Sequence, residues 1–424
     1  MNRNIMTNAV EALAFFSSLL AATGILAGCS AGLDFTECKT DTDCARFATD
    51  GVTYQCRAQT CASATTAGKL PRIAYLYIGP VGDYGWTKTH DEGRLALDRA
   101  FPTLDTTFQP SVSPADAPAA IRKFIDDGYD LIIGTSFDFL GSIQNAAANN
   151  PKVNFLLTSG FITSPNLGSY FGRMYQAKWL AGRLAAQMSV SKKLGYVSSV
   201  LIPETIRHVN AFTLGARSID PTIQVAVTFI GEWFNPANEE AAANAILDAG
   251  IDVITNGTDT PVTIEVADTR KTLDGRQVLS IGYDNPDTCD IFAPESCIAS
   301  AYYNWEPILT DIVTAIRDGS WDPQTPIWEP MTGDSGTSTV YLTPANPALV
   351  PSGVRIDVES YISKFASGSF DAFRGAVRDN KGTTRSPLDD DDLLRMCWFV
   401  EGVVEVSGDN LLPKVVPSGC PGDY

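Results

Sequence analysis

Aromatic and acidic side chains recur in this chain in short segments that follow apolar runs. The first is GPVGDYGW, residues 79 to 86, placed directly after RIAYLYI (72 to 78). A phosphate-cradling loop in that position needs G-x-G-x-x-G or G-x-x-x-x-G-K-[ST]. Here the glycines are three apart and no lysine stands in the required place. Pro80 removes a backbone donor, and Asp83 puts a carboxylate where an anion would lie. The chemistry on offer is therefore different. Asp83 can accept hydrogen bonds from N–H or hydroxyl groups, and Trp86 offers a flat face for stacking. The same residue types return further along: Phe137 after GTS, Phe171 in SYFGR, Trp233 in GEWFNP, Asp259 in GTDTP and Asp284 at the end of SIGYD. Such a set suits a flat, uncharged or cationic heteroaromatic ligand. The plainer alternative for each is packing in a local core, above all for Phe137 and Phe171.

The elements that must position these residues are legible from residue 70 onward. Short apolar runs read as buried strands: 72–78, 129–136, 153–159, 193–200, 223–230, 251–257 and 278–284. Amphipathic stretches such as THDEGRLALDRAF, AKWLAGRLAAQM and NEEAAANAILDAG lie between most of them. Strand–helix alternation predicts an α/β fold with parallel sheets. There are too many strands for one core, so two doubly wound lobes are expected, divided near 185 to 193. Ligands of such sheets bind beyond the carboxyl ends of the strands, where the aromatic and acidic segments fall.

Nothing in the composition argues for nucleic acid. The net charge over 424 residues is −18, and phosphate contacts need clustered Lys and Arg, which are absent. Residues 1–28 read as an export signal, with Arg3 ahead of the apolar stretch 12 to 28. LAGC (26 to 29) resembles a bacterial lipobox, so Cys29 is the expected lipidation site and the lipid the only membrane attachment. The other eight cysteines suit disulfides in an oxidising compartment. Cys38, Cys44, Cys56 and Cys61 crowd into the segment 29–68, where three connectivities are open. Cys289 with Cys297 and Cys397 with Cys420 form sequence-local pairs. Zinc is the rival for the first four, but CxxC spacing and a nearby histidine are missing.

Taken together, GPVGDYGWTKTHDEGR, NLGSYFGRMYQAKWLAGRLA, KKLGYVSSVLIPETIRHVNAFTLGAR, DVITNGTDTP, SIGYD and YNWEPILTDIVTAIRDGSW resemble the basic membrane protein family. These are lipid-anchored substrate-binding proteins of ABC transporters, related to purine nucleoside receptors. The resemblance covers about residues 70 to 403. It implies a type I periplasmic binding protein: two doubly wound lobes joined by a hinge and closing on a ligand. Lobe one is then 69–190 with 304–320 returning to it, and lobe two 191–303 with 335–424. The family's Asp-x-x-Phe-Asn motif corresponds to Asp83, Trp86 and Thr87, its base clamp to Trp233 and its ribose-binding Asp to Asp284. Its ribose-binding Lys falls near Tyr303, which favours a purine base such as adenine, then a nucleoside, then another flat heterocycle such as a flavin.

The expected partners are that small molecule and an ABC permease, with location in the cell envelope, periplasmic or extracellular. No cofactor, metal or catalytic residue is assigned. Two histidines and no nucleophile motif leave little for a nucleoside hydrolase; a ligand-sensing lipoprotein would share the same cleft. His90, one turn past Trp86, reads as a helix surface or cap residue. Glu204 and Arg207 either reach the cleft or pair on the first turn of their helix. The acidic run 389 to 392 reads as a solvated helix start.

Overall fold

The computed structural model describes residues 38–45, 54–57, 60–63, 68–407, 410–414 and 420. The export segment and Cys29 lie outside the described residues. Five strands build the first sheet: β1 (Arg72–Leu76), β2 (Asp105–Gln109), β3 (Leu131–Gly134), β4 (Asn154–Thr158) and β5 (Leu167–Gly172). Five more build the second: β6 (Lys193–Ser198), β7 (Gln224–Phe229), β8 (Val253–Gly257), β9 (Leu279–Asp284) and β10 (Cys297–Tyr303). The chain then returns to the first sheet with β11 (Ile327–Glu329). It finishes on the second with β12 (Val340–Leu342), β13 (Val403–Ser407) and β14 (Asn410–Pro413).

The first sheet runs β11-β5-β4-β3-β1-β2 and is parallel throughout. The second runs β12-β10-β9-β8-β6-β7-β13-β14, with only the edge strands β12 and β14 antiparallel. Central strands are buried on both faces, as continuous apolar runs such as LIIG require: Leu131, Ile132 and Ile133 are all inaccessible to solvent.

The chain crosses between the lobes three times, but not where a boundary at 190 puts the first crossing. The helix Met174–Met188 leaves the first sheet and packs on the second lobe, chiefly against the helix Pro203–Arg217 and also against β10 and the helix Ser352–Ala366. Glycines explain the correction. A Cβ on Gly182 would meet the Phe212 carbonyl at 1.9 Å, and one on Gly215 the Trp179 carbonyl at 1.9 Å. The two backbones touch, so this pair is one unit. The first crossing therefore lies between Gly172 and Met174. The return helix Glu306–Asp318 packs on the helix Trp86–Ala100 in the first lobe.

Disulfides join Cys38 to Cys56, Cys44 to Cys61, Cys289 to Cys297 and Cys397 to Cys420. The first two take up all four described cysteines of the N-terminal segment. That segment sits against the first lobe, where the Gln324 side-chain amide donates to the Cys61 carbonyl at 3.1 Å.

The glycine contact yields a direct test. Gly215→Val should cost about 1–3 kcal/mol of stability by overpacking, read as a lower midpoint in urea unfolding. An unchanged midpoint would show that the helix pair is not in backbone contact.

Candidate functional site

GPVGDYGW is a helix-start device. The Asp83 carboxylate accepts from the backbone N–H groups of Gly85 (2.9 Å), Thr87 (2.9 Å) and Lys88 (3.0 Å). These are the amides that an anion at the helix N-terminus would need, so the loop is closed to phosphate. Thr87 is equally occupied, its hydroxyl accepting from the Gly79 N–H at 3.1 Å. With both residues holding the loop, Trp86 opens the helix Trp86–Ala100 in a fixed orientation. Its indole N–H donates to the Thr135 carbonyl at 2.5 Å.

Two cavities lie between the lobes. One, of about 380 Å³, is lined by Trp86, Ser136 and Phe137 from the first lobe and by Thr205, Trp233, Asp259 and Tyr283 from the second, among others. The other, of about 720 Å³, has walls that include Phe161, Phe171, Arg207, Trp328 and Leu394. Phe137, Ser159 and Glu204 belong to both linings.

The nine residues singled out from sequence divide accordingly. Trp86, Phe137, Trp233 and Asp259 line the smaller cavity, and Phe171 lines the larger. Asp83, Thr87, Asp284 and Tyr303 line neither. Asp83 and Thr87 hold the loop. Tyr303 is buried in the hinge, its ring stacked on Trp305 at 4.6 Å and edge-on to Trp86 at 5.3 Å. Asp284 is wholly buried at a positive φ of 65°.

The lobes are shut on one another. A Cβ on Gly85 would meet the Asp259 carbonyl at 2.4 Å, which only glycine allows. Trp233 donates from its indole N–H to Asp138 across the gap at 3.0 Å, and the Ser159 hydroxyl donates to Glu204. The Tyr84 ring meets Phe292 edge-on at 4.8 Å.

Residues 70–328 match the family model of PnrA-like ABC transporter substrate-binding proteins, Bmp. A purine-binding protein of Brucella abortus is 32% identical over 357 residues, covering 83% of this chain and 96% of that protein. The chain belongs to the Bmp family. A putative ABC transporter glucose-binding protein of Haloferax volcanii is 30% identical over 310 residues, covering 72% of this chain and 77% of that one. Among solved structures, a solute-binding protein of an ABC transporter system from Aeropyrum pernix superposes with a TM-score of 0.58 at 17% identity. It covers 77% of this chain and 95% of its own, which shows the periplasmic-binding-protein fold.

In this Bmp-family protein the electrostatics of the cleft are set by burial. Desolvation, then the like charges of Asp284 and Asp83, pushes the Asp259 carboxyl well above the usual range. Desolvation does the same to Asp284, opposed chiefly by the Lys178 ammonium. Neither Asp284 oxygen meets a donor at ordinary hydrogen-bond geometry, Tyr283 contributing only a weaker polar contact. Lys178 is itself wholly buried. It donates to the Asn256 carbonyl at 2.7 Å and sits 3.6 Å from the Tyr283 ring centre. Sequence reasoning passed over Lys178, Ser159 and Tyr283. The signal for Lys178 was one cation inside the apolar face of AKWLAG.

Glu204 and Arg207 do reach the cleft, both lining the larger cavity. His90, expected on a helix surface, is instead fully buried, with Trp305 stacked on its ring at 4.3 Å and Trp86 at 4.6 Å. The return of the helix after Trp305 covers the face that an isolated helix would leave in water. Burial lowers the His90 pKa to about 3, with Trp86's carbonyl opposing. An unfolded histidine protonates near pH 6.5, so the unfolded chain binds the extra proton as pH falls from 6.5 towards 3. Stability from this group is thus present above pH 6.5 and lost below it. Relative to His90→Gln, the wild-type chain should lose about 1.4 kcal/mol per pH unit between pH 6 and 4, measured by urea unfolding. A constant difference across that window would place His90 in contact with solvent.

Proposed function

We propose that this chain captures a purine base, or a nucleoside second, between its lobes and hands it to an ABC permease while anchored through a lipid on Cys29. The observation that carries the ligand class is the smaller cavity: an indole from each lobe, Trp86 and Trp233, and the Asp259 carboxylate line one closed space. No protein donor reaches the Asp259 carboxylate among the described residues, while Asp83 and Glu204 nearby have theirs. A ring with N–H donors on its edge and two flat faces supplies what Asp259 and the indoles lack. The name of the Brucella relative, a purine-binding protein, supports the same class. Tyr303, standing where the family resemblance expects a ribose-binding lysine, favours a base over a nucleoside.

Adenine should bind the purified mature chain in calorimetry, and glucose should not. Trp233→Ala, at a half-buried position, should weaken adenine by about 5- to 150-fold, the equivalent of about 1–3 kcal/mol of stacking. Unchanged affinity with a native circular dichroism spectrum would remove Trp233 from the site. Separately, Cys29→Ser should move the protein from the membrane to the soluble fraction on fractionation; retention in the membrane would refute lipid anchoring there.

A further inference from the structure

Phe137, Ser159 and Glu204 are walls of both cavities, so the two chambers adjoin across these three side chains. The Ser159–Glu204 hydrogen bond links the lobes at that boundary. Beyond it lies the second chamber, the larger of the two. Its walls are largely aromatic and aliphatic: Phe161, Phe171, Ile202, Trp328 and Leu394.

The two guanidinium groups at this chamber are engaged by the protein. Arg207 donates from Nη1 to the Leu393 carbonyl at 2.7 Å and lies 5.0 Å over the Trp328 ring. Arg395 pairs with Asp391 at 2.9 Å. One donor is left over: the Arg207 Nε–H is buried and has no hydrogen-bond partner. The chamber thus suits an uncharged arm, mostly apolar, with room for one acceptor atom.

We propose that the natural ligand is a planar heterocycle bearing an uncharged, ring-sized apolar substituent. The heterocycle lies between Trp86 and Trp233, and the substituent lies in the chamber bounded by Phe161, Phe171, Trp328 and Leu394. This rests on the purine-type reading above and extends it from the base to what the base carries. Filling an apolar chamber with an apolar ring removes both surfaces from water, so the arm adds affinity in proportion to the area covered.

The test is calorimetry on the mature chain with three probes: adenine, N6-benzyladenine and 9-benzyladenine. At least one benzyl derivative should bind about tenfold or more tightly than adenine. Leu394→Trp, which fills the second chamber, should reduce that derivative to the affinity of adenine while leaving adenine within about twofold. Where Leu394→Trp fails to give a native circular dichroism spectrum, Ile202→Phe serves the same purpose. Adenine binding with both derivatives equal or weaker overturns the proposal and leaves the purine reading standing. So does a benzyl advantage that survives the filled chamber. Failure of all three probes to bind overturns the purine reading and this extension with it.

Discussion

Carboxylates removed from water at the seam between two lobes are the constraint on which this molecule is organised. A buried carboxylate is costly unless donors or a cation meet it. Asp83 meets three helix amides of its own lobe. Glu204 meets the Ser159 hydroxyl of the opposite lobe. Asp284 feels Lys178, whose own charge burial disfavours, and Asp259 faces the cavity. The four solutions grade from local to external, and in the function proposed above a ligand answers the last. Closing the lobes desolvates Asp259 further; a bound N–H donor offsets that cost only in the closed form. Binding and closure are then one equilibrium, since a ligand shifts it by its differential affinity for the two states.

The closed state also has contacts of its own. The indole of Trp233 reaches Asp138, Tyr84 reaches Phe292, and Gly85 lies against the backbone of Asp259. These are few and mostly at the rim, where single polar contacts contribute about 0.5–1.5 kcal/mol each. The hinge is stiffer. Tyr303, Trp305 and Trp86 pack edge and face across the second crossing, so the indole that lines the cavity belongs to the same aromatic cluster as the hinge. Movement at the hinge and orientation of Trp86 are mechanically joined.

Legibility of the sequence followed the strength of the local signal. Buried parallel strands such as LIIG announce themselves as unbroken apolar runs, and the loops after them were located by the same step. Two strands were silent: DTTFQ of the edge strand β2 is polar because one side of it meets water, and LGSYFG of the inner strand β5 is interrupted by glycines. The lobe boundary was misplaced because helix Met174–Met188 carries no mark of which sheet it covers; that is decided by Gly182 and Gly215, which matter only once the two helices are side by side. His90 failed for the same reason, its cover coming from Trp305 more than two hundred residues away.

Residue type alone also could not separate holding from binding. Asp83 and Asp259 both follow strands of parallel sheets and both look like ligand acceptors. What distinguishes them is register. Asp83 stands two to five residues before a run of free helix amides, which capture its oxygens. Asp259 is instead positioned by its backbone, whose N–H donates to the Trp233 carbonyl at 3.0 Å and so ties its carboxyl to the Trp233 segment. The acceptor and the stacking face arrive in the cavity together because one main-chain bond sets both. For the ligand class proposed above, a planar ring with donors along its edge, that one bond would bring both contacts at once.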